Sequence, residues 1–480
     1  MLDSAGPVRT DLKDGEEQMA QATPLIKDLA KISEKLRAGF GRDLLRPGDD
    51  GYDAARKIHN GMIDRFPALI VRCGDASDVI QAVNVAREHG LLLSVLGGGH
   101  GVTGFAVCDQ GLMIDLSRMK AIHVDPTLGT ARAEGGVTWG ELDRETLAVG
   151  MATTGGIERT TGIAGLTLAG GYGFLMRKHG LTCDNLISAD IVTADGRLLR
   201  ASAEENADLF WGVRGGGGNF GIVTSFEYRI HEVGPVYGGL VIYPMDQARE
   251  RIRRYDEFVA TAPDNLGPLL ILGTLPDGTR AVIFLLCYFG PAEEGKRCME
   301  PLLSGGTPIA NQLAPMPYES VQSIVERFNP RGLRNYWKTS FMDRVVDDAA
   351  SVMVEKFQIS PSPYTHVVLY TLGGAMARVD PDVTAIENRR ARHALLTVGM
   401  WDGASADETN IGWVRGFASS MEDFSSGGFY VNFDSDTPVD RVRLAYGAAK
   451  YSKLRLLKDK YDPTNFFRLN HNIRPTNEPG

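Results

Sequence analysis

The chain has 480 residues, of which 43% are hydrophobic and 23% charged, values typical of a soluble globular protein with two or three domains. Lysine and arginine number 51 against 60 acidic residues, so the net charge is −9, and no basic block favours nucleic-acid binding. No apolar run approaches the ~20 residues of a membrane span, and the N-terminus is too polar for a signal peptide. We therefore predict a cytoplasmic protein that binds neither nucleic acid nor membrane.

The first predicted elements are short apolar runs that alternate with helical patterns. A polar segment, 1–40, contains one predicted helix near 25–38. PALIVRC and LLLSVL then read as buried strands around a helix that begins at Asp75 or Ser77 and ends at Gly90. The three elements form a β-α-β unit, and LMIDL predicts another strand.

Capping and turn signals predict the elements that follow. Capping boxes at 138–141 and 202–205 each precede a predicted helix. Asp-Gly at 195–196, between two apolar runs, predicts a hairpin turn. Residues 224–230 alternate apolar and polar side chains, which is typical of a half-buried strand.

The composition changes after Pro235. The runs GGLVIYP, PLLILGTL, AVIFLLCYF and HVVLYTL predict strands, and helices are predicted at 245–261, 381–397, 408–421 and 437–461. This change predicts four parts in chain order: an N-terminal extension (1–40), a first domain (41–235), a second domain (236–435) and a C-terminal segment (436–480).

Glycine is unusually frequent, at 56 of 480 residues against a usual ~7%. The glycines cluster at 97–104, 155–173 and 212–221, which favours one large ligand held by backbone over simple tight turns. G-x-G-x-x-G occurs literally at 99–104 and 216–221. Neither match has the strand-to-helix order of a dinucleotide site, so a nicotinamide dehydrogenase is the weaker interpretation.

The cysteines carry no recognisable motif. Five are scattered along the chain, and none falls in a C-x-x-C pair. We predict free thiols, mostly buried, in a reducing compartment, and no metal site.

Taken together, the glycine-rich segments resemble the FAD-binding domain of the p-cresol methylhydroxylase type in the vanillyl-alcohol oxidase superfamily, and more closely its berberine bridge enzyme-like branch. The matching segments are GGGH, GIAGLTLAGGYGFLMRKHGLTCDN, RGGGGNFGIVTSF, YVNF and KYDPTNFFRLNHNI. The resemblance is strong over 60–235, moderate over the last 50 residues and weak between them. It implies an α+β fold: a two-subdomain FAD-binding domain plus a substrate domain with an antiparallel sheet covered by helices.

The resemblance also implies how the flavin is held. The histidine that matches His100 is bonded covalently to the isoalloxazine in this family. Glu158 occupies the position of the cysteine that forms a second link in many relatives, so we expect a single attachment. The other implied cofactor contacts are Gly97, Gly98, Gly99, Gly101, Gly162, Gly165, Gly170, Gly171, Tyr172, Ile222, Val223, Asn470 and Asn472. Their alternatives are tight turns for the glycines, sheet core for the two strand residues and a solvated loop for the asparagines.

Two residues are predicted to be catalytic. Tyr430 matches the first tyrosine of a Tyr-x-Asn-Tyr motif that faces the substrate, and Phe433 replaces the second. Tyr430 would act as a base or as its hydrogen-bonding partner. Because a free tyrosine has a pKa of ~10, a cation is needed to lower it, and Lys338 in YWKTSF is the candidate.

The resulting hypothesis is an FAD-dependent oxidase that removes hydride from a C–H bond beside oxygen or nitrogen in a small metabolite, with O2 as acceptor. Two alternatives stay open: a flavin dehydrogenase with another acceptor, and a flavin-fold protein that binds without turnover. The substrate and the oligomeric state are not predicted.

Overall fold

The computed structural model describes residues 29–326, 328–436 and 439–478. Within these residues, three main sheets carry helices on their faces, an α+β arrangement as predicted. None of the described helices combines the length and the apolarity that crossing a bilayer requires. All five cysteines are free thiols, and all but Cys298 are buried.

A small sheet forms from the first part of the chain. Its elements are α1 (Leu29–Phe40), β1 (Leu44–Leu45), α2 (Tyr52–Arg56), β2 (Leu69–Arg72), α3 (Ala76–Glu88), β3 (Leu93–Leu96) and β4 (Leu112–Asp115). The strand order is β1-β2-β4-β3, with β2, β4 and β3 parallel. Asp75 caps α3 by accepting hydrogen bonds from two backbone N–H groups. The β-α-β prediction is confirmed. Residues 25–28 of the first predicted helix lie outside the described residues.

A second, antiparallel sheet follows. Its region contains β5 (Ile122–Asp125), β6 (Thr130–Glu134), α4 (Trp139–Leu147), β7 (Met151–Ala152), α5 (Ile163–Leu168), α6 (Met176–His179), β8 (Leu186–Val192), β9 (Leu198–Ser202), α7 (Ala207–Val213), β10 (Ile222–Arg229) and β11 (His231–Glu232). The order is β5-β6-β10-β8-β9, while β7 pairs with β11. The capping box at 138–141 and the hairpin at 195–196 are confirmed.

The second predicted capping box is wrong. The Ser202 hydroxyl accepts hydrogen bonds from the backbone N–H groups of Glu204 and Glu205. These bonds close a turn after β9 rather than a helix, and α7 begins later, after Asn206 with a φ of 49°. The serine hydroxyl competes here for the N–H groups that a helix would use.

The third sheet is large and antiparallel. Its region contains β12 (Val236–Pro244), α8 (Ala248–Val259), β13 (Leu266–Thr274), β14 (Arg280–Tyr288), α9 (Ala292–Leu303), β15 (Ala310–Asn311), β16 (Ala314–Met316), α10 (Tyr318–Glu326), β17 (Arg334–Met342), α11 (Asp347–Gln358), β18 (His366–Thr371), α12 (Ala375–Arg378), β19 (His393–Trp401) and α13 (Asp407–Ser420). The order is β15-β12-β14-β13-β18-β19-β17, and β16 also pairs with β12. Helices α8, α9, α11 and α13 pack on one face, which leaves the other face toward the glycine-rich loops.

The helix predicted at 381–397 is wrong: Pro381–Val383 form a single 3₁₀ turn, 384–392 have no regular structure, and only the last five residues lie in a strand. Residues from His393 onward form β19, which lies between β18 and β17 and is buried throughout. A central strand buried on both faces has a continuous apolar sequence, and periodicity alone does not separate it from a buried helix.

The C-terminal segment returns to the second sheet. Helix α14 (Val439–Tyr461) is broken at Gly447, whose φ is 67°. Leu454, Leu457 and Ile473 belong to the same apolar core as the second sheet. Asp462 ends the helix, and its carboxylate accepts hydrogen bonds from the N–H groups of residues 466 and 467.

Candidate active site

A cavity of about 950 Å³ lies between the glycine-rich loops and the open face of the third sheet. The loop after β3, the segment around α5, the turn before β10 and the C-terminal segment line one side. Strands of the third sheet line the other. The G-x-G-x-x-G match at 99–104 follows β3 but no helix comes after it, and the match at 216–221 comes directly before β10. Neither therefore has the strand-to-helix order of a dinucleotide-binding turn, as expected.

Most of the predicted site residues meet in this cavity. The described lining includes Gly97, Gly98, Gly99, His100, Gly101, Gly162, Gly165, Tyr172, Ile222, Val223, Tyr430 and Asn470. Four predicted residues are not in the lining: Gly170, Gly171, Asn472 and Lys338.

Two glycines bring the loops together. A Cβ atom on Gly98 would lie 2.2 Å from the backbone nitrogen of Gly162, and one on Gly162 would lie 2.4 Å from that of Gly98. The loops therefore touch backbone to backbone, which no larger residue permits. Gly101 and Gly165 instead have nothing within 4 Å of such an atom. Main chain is thus exposed to the cavity, as an anion cradle requires.

Gly170 and Gly171 lie behind the residues that line the cavity. Their φ values are 111° and 89°, which favour glycine. Their carbonyl groups accept hydrogen bonds from the N–H groups of Cys183 and Thr182. The N–H of Gly171 donates to the Tyr430 hydroxyl oxygen at 3.1 Å. The turn therefore positions Tyr430.

His100 lies at the end of the loop after β3 and is surrounded by polar side chains. Its ring stacks on His59, with centroids 4.3 Å apart. Nε2 is 2.9 Å from the Thr160 hydroxyl, and Nδ1 is 3.9 Å from Glu158 Oε2. Burial, with smaller effects from His59 and Arg331, lowers the His100 pKa to about 3, so the imidazole is neutral at pH 7.

Glu158 is a buried carboxyl group beside His100. Oε2 accepts a hydrogen bond from Asn329 Nδ2 at 2.7 Å, and Oε1 accepts one from the Thr160 hydroxyl at 3.2 Å. Burial raises the Glu158 pKa to about 7, despite these two donors. Ligand atoms of His59, His100 and Glu158 all lie within 4.8 Å of one another, a spacing that also suits a metal ion.

Tyr430 is the centre of an aromatic cluster. Its ring stacks on Tyr172 with centroids 4.1 Å apart and meets Phe433 edge-on at 4.8 Å. The hydroxyl oxygen accepts hydrogen bonds from Gly171 N–H and, at 3.2 Å, from Asn432 Nδ2. Burial outweighs both donors and raises the Tyr430 pKa well above its ordinary value. Tyr430 is therefore a neutral hydroxyl at pH 7.

The expectation that Lys338 lowers the pKa of Tyr430 is wrong. Successive side chains of a strand point to opposite faces, and in β17 it is Trp337 that lines the cavity. Lys338 Nζ donates to Asp434 Oδ1 at 2.8 Å and pairs with Asp436. Its side chain is 10% exposed. Lys338 is a structural cation in a buried ion pair, and the Tyr430 site lacks its charge.

The C-terminal segment presents polar atoms without partners. Asn470 Oδ1, His471 Nδ1 and Asn472 Oδ1 are buried and form no hydrogen bond within the described residues. Asn470 and His471 line the cavity. Because buried polar groups are normally paired, the two unpaired atoms at the cavity, on Asn470 and His471, indicate a polar ligand, and the polar edge of a flavin fits them.

Several residues of the site carried no usable signal in the sequence. Lys458, fully buried, donates to the carbonyl groups of Asn219 and Phe467 and so ties the turn before β10 to the C-terminal segment. His59 and Asn329 reach His100 and Glu158 from distant parts of the chain. Only the fold reveals such long-range contacts.

Comparison with known proteins identifies an FAD-binding domain and a C-terminal berberine-like segment. Residues 67–202 match the family described as FAD binding domain, and 429–474 match the family described as berberine and berberine like. An FAD-linked oxidoreductase from Dictyostelium discoideum is 30% identical over 95% of this chain and 98% of its own.

Solved structures show the same fold. That of 6-hydroxy-D-nicotine oxidase from Arthrobacter nicotinovorans has a TM-score of 0.83 and 28% identity, and covers 90% of this chain and 97% of its own. Glucooligosaccharide oxidase from Acremonium strictum, described with a 6-S-cysteinyl, 8α-N1-histidyl FAD, has a TM-score of 0.82 and 25% identity, and covers 92% and 99%. The chain belongs to the berberine bridge enzyme-like family of FAD-linked oxidases, in the p-cresol methylhydroxylase and vanillyl-alcohol oxidase superfamily.

Proposed function

We propose that the cavity holds FAD attached covalently through His100 alone. The neutral imidazole of His100 has a lone pair with which to form the bond. Glu158 lies beside it, and no cysteine is among the described residues that line the cavity. The solved oligosaccharide oxidase is described with both a cysteinyl and a histidyl link. A thioether requires a cysteine, so this chain would have only the second kind of link.

We further propose that the enzyme oxidises a C–H bond next to oxygen or nitrogen in a small metabolite. When bound, FAD would supply a hydride acceptor that O2 could reoxidise, with two electrons and two protons going to H2O2. The substrate loses a hydride from carbon and a proton from its hydroxyl or amine. The chain's own residues have to bind that heteroatom and receive its proton.

Tyr430 suits the first task. Its oxygen already accepts two N–H hydrogen bonds, so its own O–H is directed to other acceptors, such as the substrate heteroatom. With its pKa raised by burial, it does not begin the reaction as a phenolate. This supports the role of hydrogen-bonding partner over that of base.

Glu158 suits the second task. It is the only carboxylate among the described residues that line the cavity. Its pKa of about 7 matches the operating pH, where general-base catalysis is most effective. Tyr370 lies between the two groups: its ring is 5.4 Å from that of Phe433, which packs against Tyr430, and burial, with a contribution from the Glu158 charge, raises the pKa of Tyr370. The proton of the substrate would pass to the Glu158 carboxylate.

The observation that carries the proposal is the juxtaposition of His100, Glu158 and Tyr430 in one cavity. Acid-precipitated protein should stay yellow, and its flavin-bearing peptide should contain His100 without a cysteine link. His100→Ala should give a colourless precipitate. A colourless wild-type precipitate, or a thioether flavin, would contradict single attachment.

The electron acceptor is tested separately. Substrate added without air should bleach the flavin in the absence of NAD(P), and air should restore its colour with release of H2O2. Persistence of the reduced flavin in air would show that the acceptor is not oxygen, and that the enzyme is a dehydrogenase.

A further inference from the structure

Much of the side of the cavity opposite the glycine-rich loops is an aliphatic surface, although neutral polar side chains such as Thr274, Gln312 and Thr365 also line the cavity. Alternate residues of the third sheet point into it, among them Ile242, Ile271, Leu285, Val368, Leu396 and Val398. Within the described residues, no lysine, arginine or aspartate lines the cavity. A sugar hydroxyl buried on such a surface without a partner costs about 1–3 kcal/mol. The surface therefore suits apolar rings and disfavours oligosaccharides.

Strand β18 sets the length of this surface. Near its inner end lies Tyr370, whose ring is 6.2 Å from that of Tyr172 and 5.4 Å from that of Phe433, a neighbour of Tyr430. Its outer end is His366. Four residues of strand span roughly 13 Å at ~3.3 Å each. His366 and Tyr370 both line the cavity, so a ligand has to extend over about that length to contact both.

His366 presents a hydrogen-bond acceptor at the outer end. Its Nδ1 lies 3.2 Å from the carbonyl oxygen of Tyr364, and a carbonyl only accepts, so Nδ1 carries the proton. Burial lowers the His366 pKa to about 4, so the ring is neutral at pH 7 and Nε2 is unprotonated. Within the described residues, Nε2 has no hydrogen-bond partner.

We propose that the substrate is an uncharged, apolar compound of two or more rings, oxidised at the Tyr430 end, with a hydroxyl or N–H group that donates to His366 Nε2. This inference rests on the proposed oxidase function, because it uses the same cavity. His366 determines specificity and lies far from the reacting carbon.

The test uses three probes on the flavin-loaded enzyme without air. They are 4-(4-hydroxyphenyl)benzyl alcohol, which has the remote donor, 4-phenylbenzyl alcohol, which lacks it, and cellobiose. The shift of the flavin spectrum gives the Kd of each, and bleaching reports turnover. The variants are His366→Leu, His366→Gln, which keeps an acceptor, and His123→Leu, an exposed control on β5.

The phenolic probe should bind about tenfold more tightly than its analogue, the ratio that one net hydrogen bond of ~1.4 kcal/mol provides. His366→Leu should remove that ratio without weakening the analogue, His366→Gln should restore part of it, and His123→Leu should leave it unchanged. Equal Kd values in the wild type, equal losses for both probes, no binding of either, or tighter binding of cellobiose would each overturn the inference.

The two proposals fail in different ways. Bleaching by cellobiose, with peroxide released in air, would leave the oxidase function intact and overturn the proposed substrate class. Selective binding of the phenolic probe through His366, combined with flavin that no probe reduces, would support the binding site and contradict the oxidation of such compounds.

Discussion

Replacing Glu158 with glutamine tests the electrostatics of the site directly. The side chain is 11% exposed, and glutamine keeps the oxygen that accepts from Asn329 while removing the ionisation. Burial raises the carboxyl pKa from 4.5 to about 7. Between these values the folded protein keeps a proton that the unfolded chain has lost. The wild-type free energy of unfolding therefore falls as the pH rises through this range.

The size of the effect follows from the shift. At ~1.36 kcal/mol per pH unit, the whole shift corresponds to roughly 3 kcal/mol. About 2 kcal/mol of it is lost between about pH 5.5 and about pH 8.5, because part has already been lost at the lower pH. Relative to wild type, Glu158→Gln should gain that amount over the interval. Asp143, whose pKa burial also raises to about 7, is present in both proteins and cancels.

Urea unfolding of the flavin-loaded proteins at the two pH values measures the difference. Glu408→Gln, which removes an exposed carboxylate in the first turn of α13, is the matched control and should show no such gain. If Glu158 is also the base, the variant should lose the pH dependence of flavin reduction near pH 7 and react ~10²–10⁴ more slowly. A stability difference between Glu158→Gln and wild type that is the same at both pH values would refute the reasoning.

Three further substitutions test other parts of the site. Tyr430→Phe should slow flavin reduction by ~10–10², the value of one hydrogen bond to a developing charge. It should also lower the free energy of unfolding by about 1–3 kcal/mol, because Gly171 N–H loses its acceptor. An unchanged reduction rate would exclude Tyr430 from the chemistry. Lys338→Met should cost ~3–5 kcal/mol in urea unfolding, because it removes the ammonium group from a buried ion pair with Asp434. A selective loss of reduction rate with normal stability would instead restore its catalytic role. Gly162→Ala should lower the ratio of flavin to protein absorbance, because the new methyl group would collide with the loop that contains Gly98. The control Gly234→Ala, whose added Cβ atom would have no neighbour within 4 Å, should leave this ratio unchanged.

The backbone part of the site was predictable because it is local. A short strand that ends in GGGH, and glycines that tolerate positive φ, are features of a few neighbouring residues, and Gly98, His100 and Gly162 lie at the cavity as expected. Prediction from local sequence failed where strand pairing determines the secondary structure. The apolar run after His393 fits a buried strand or a buried helix equally well until β17 and β18 pair with it.

The side-chain part of the site depends on contacts that sequence does not contain. Asn329 meets Glu158 across 171 positions of the chain, and no motif connects them. Lys338 shows the limit most clearly: alternation along β17 predicts that it and Trp337 face opposite sides, but not which side is the cavity. The orientation depends on tertiary packing: helix α13 packs against β17 on one face of the sheet, and Asp434 accepts a hydrogen bond from the Lys338 ammonium group. Asp434 pairs with the Lys338 ammonium group on that face, so Lys338 does not lower the pKa of Tyr430 on the other face. For this reason the proposed role of proton acceptor goes to Glu158, whose pKa burial raises to about 7.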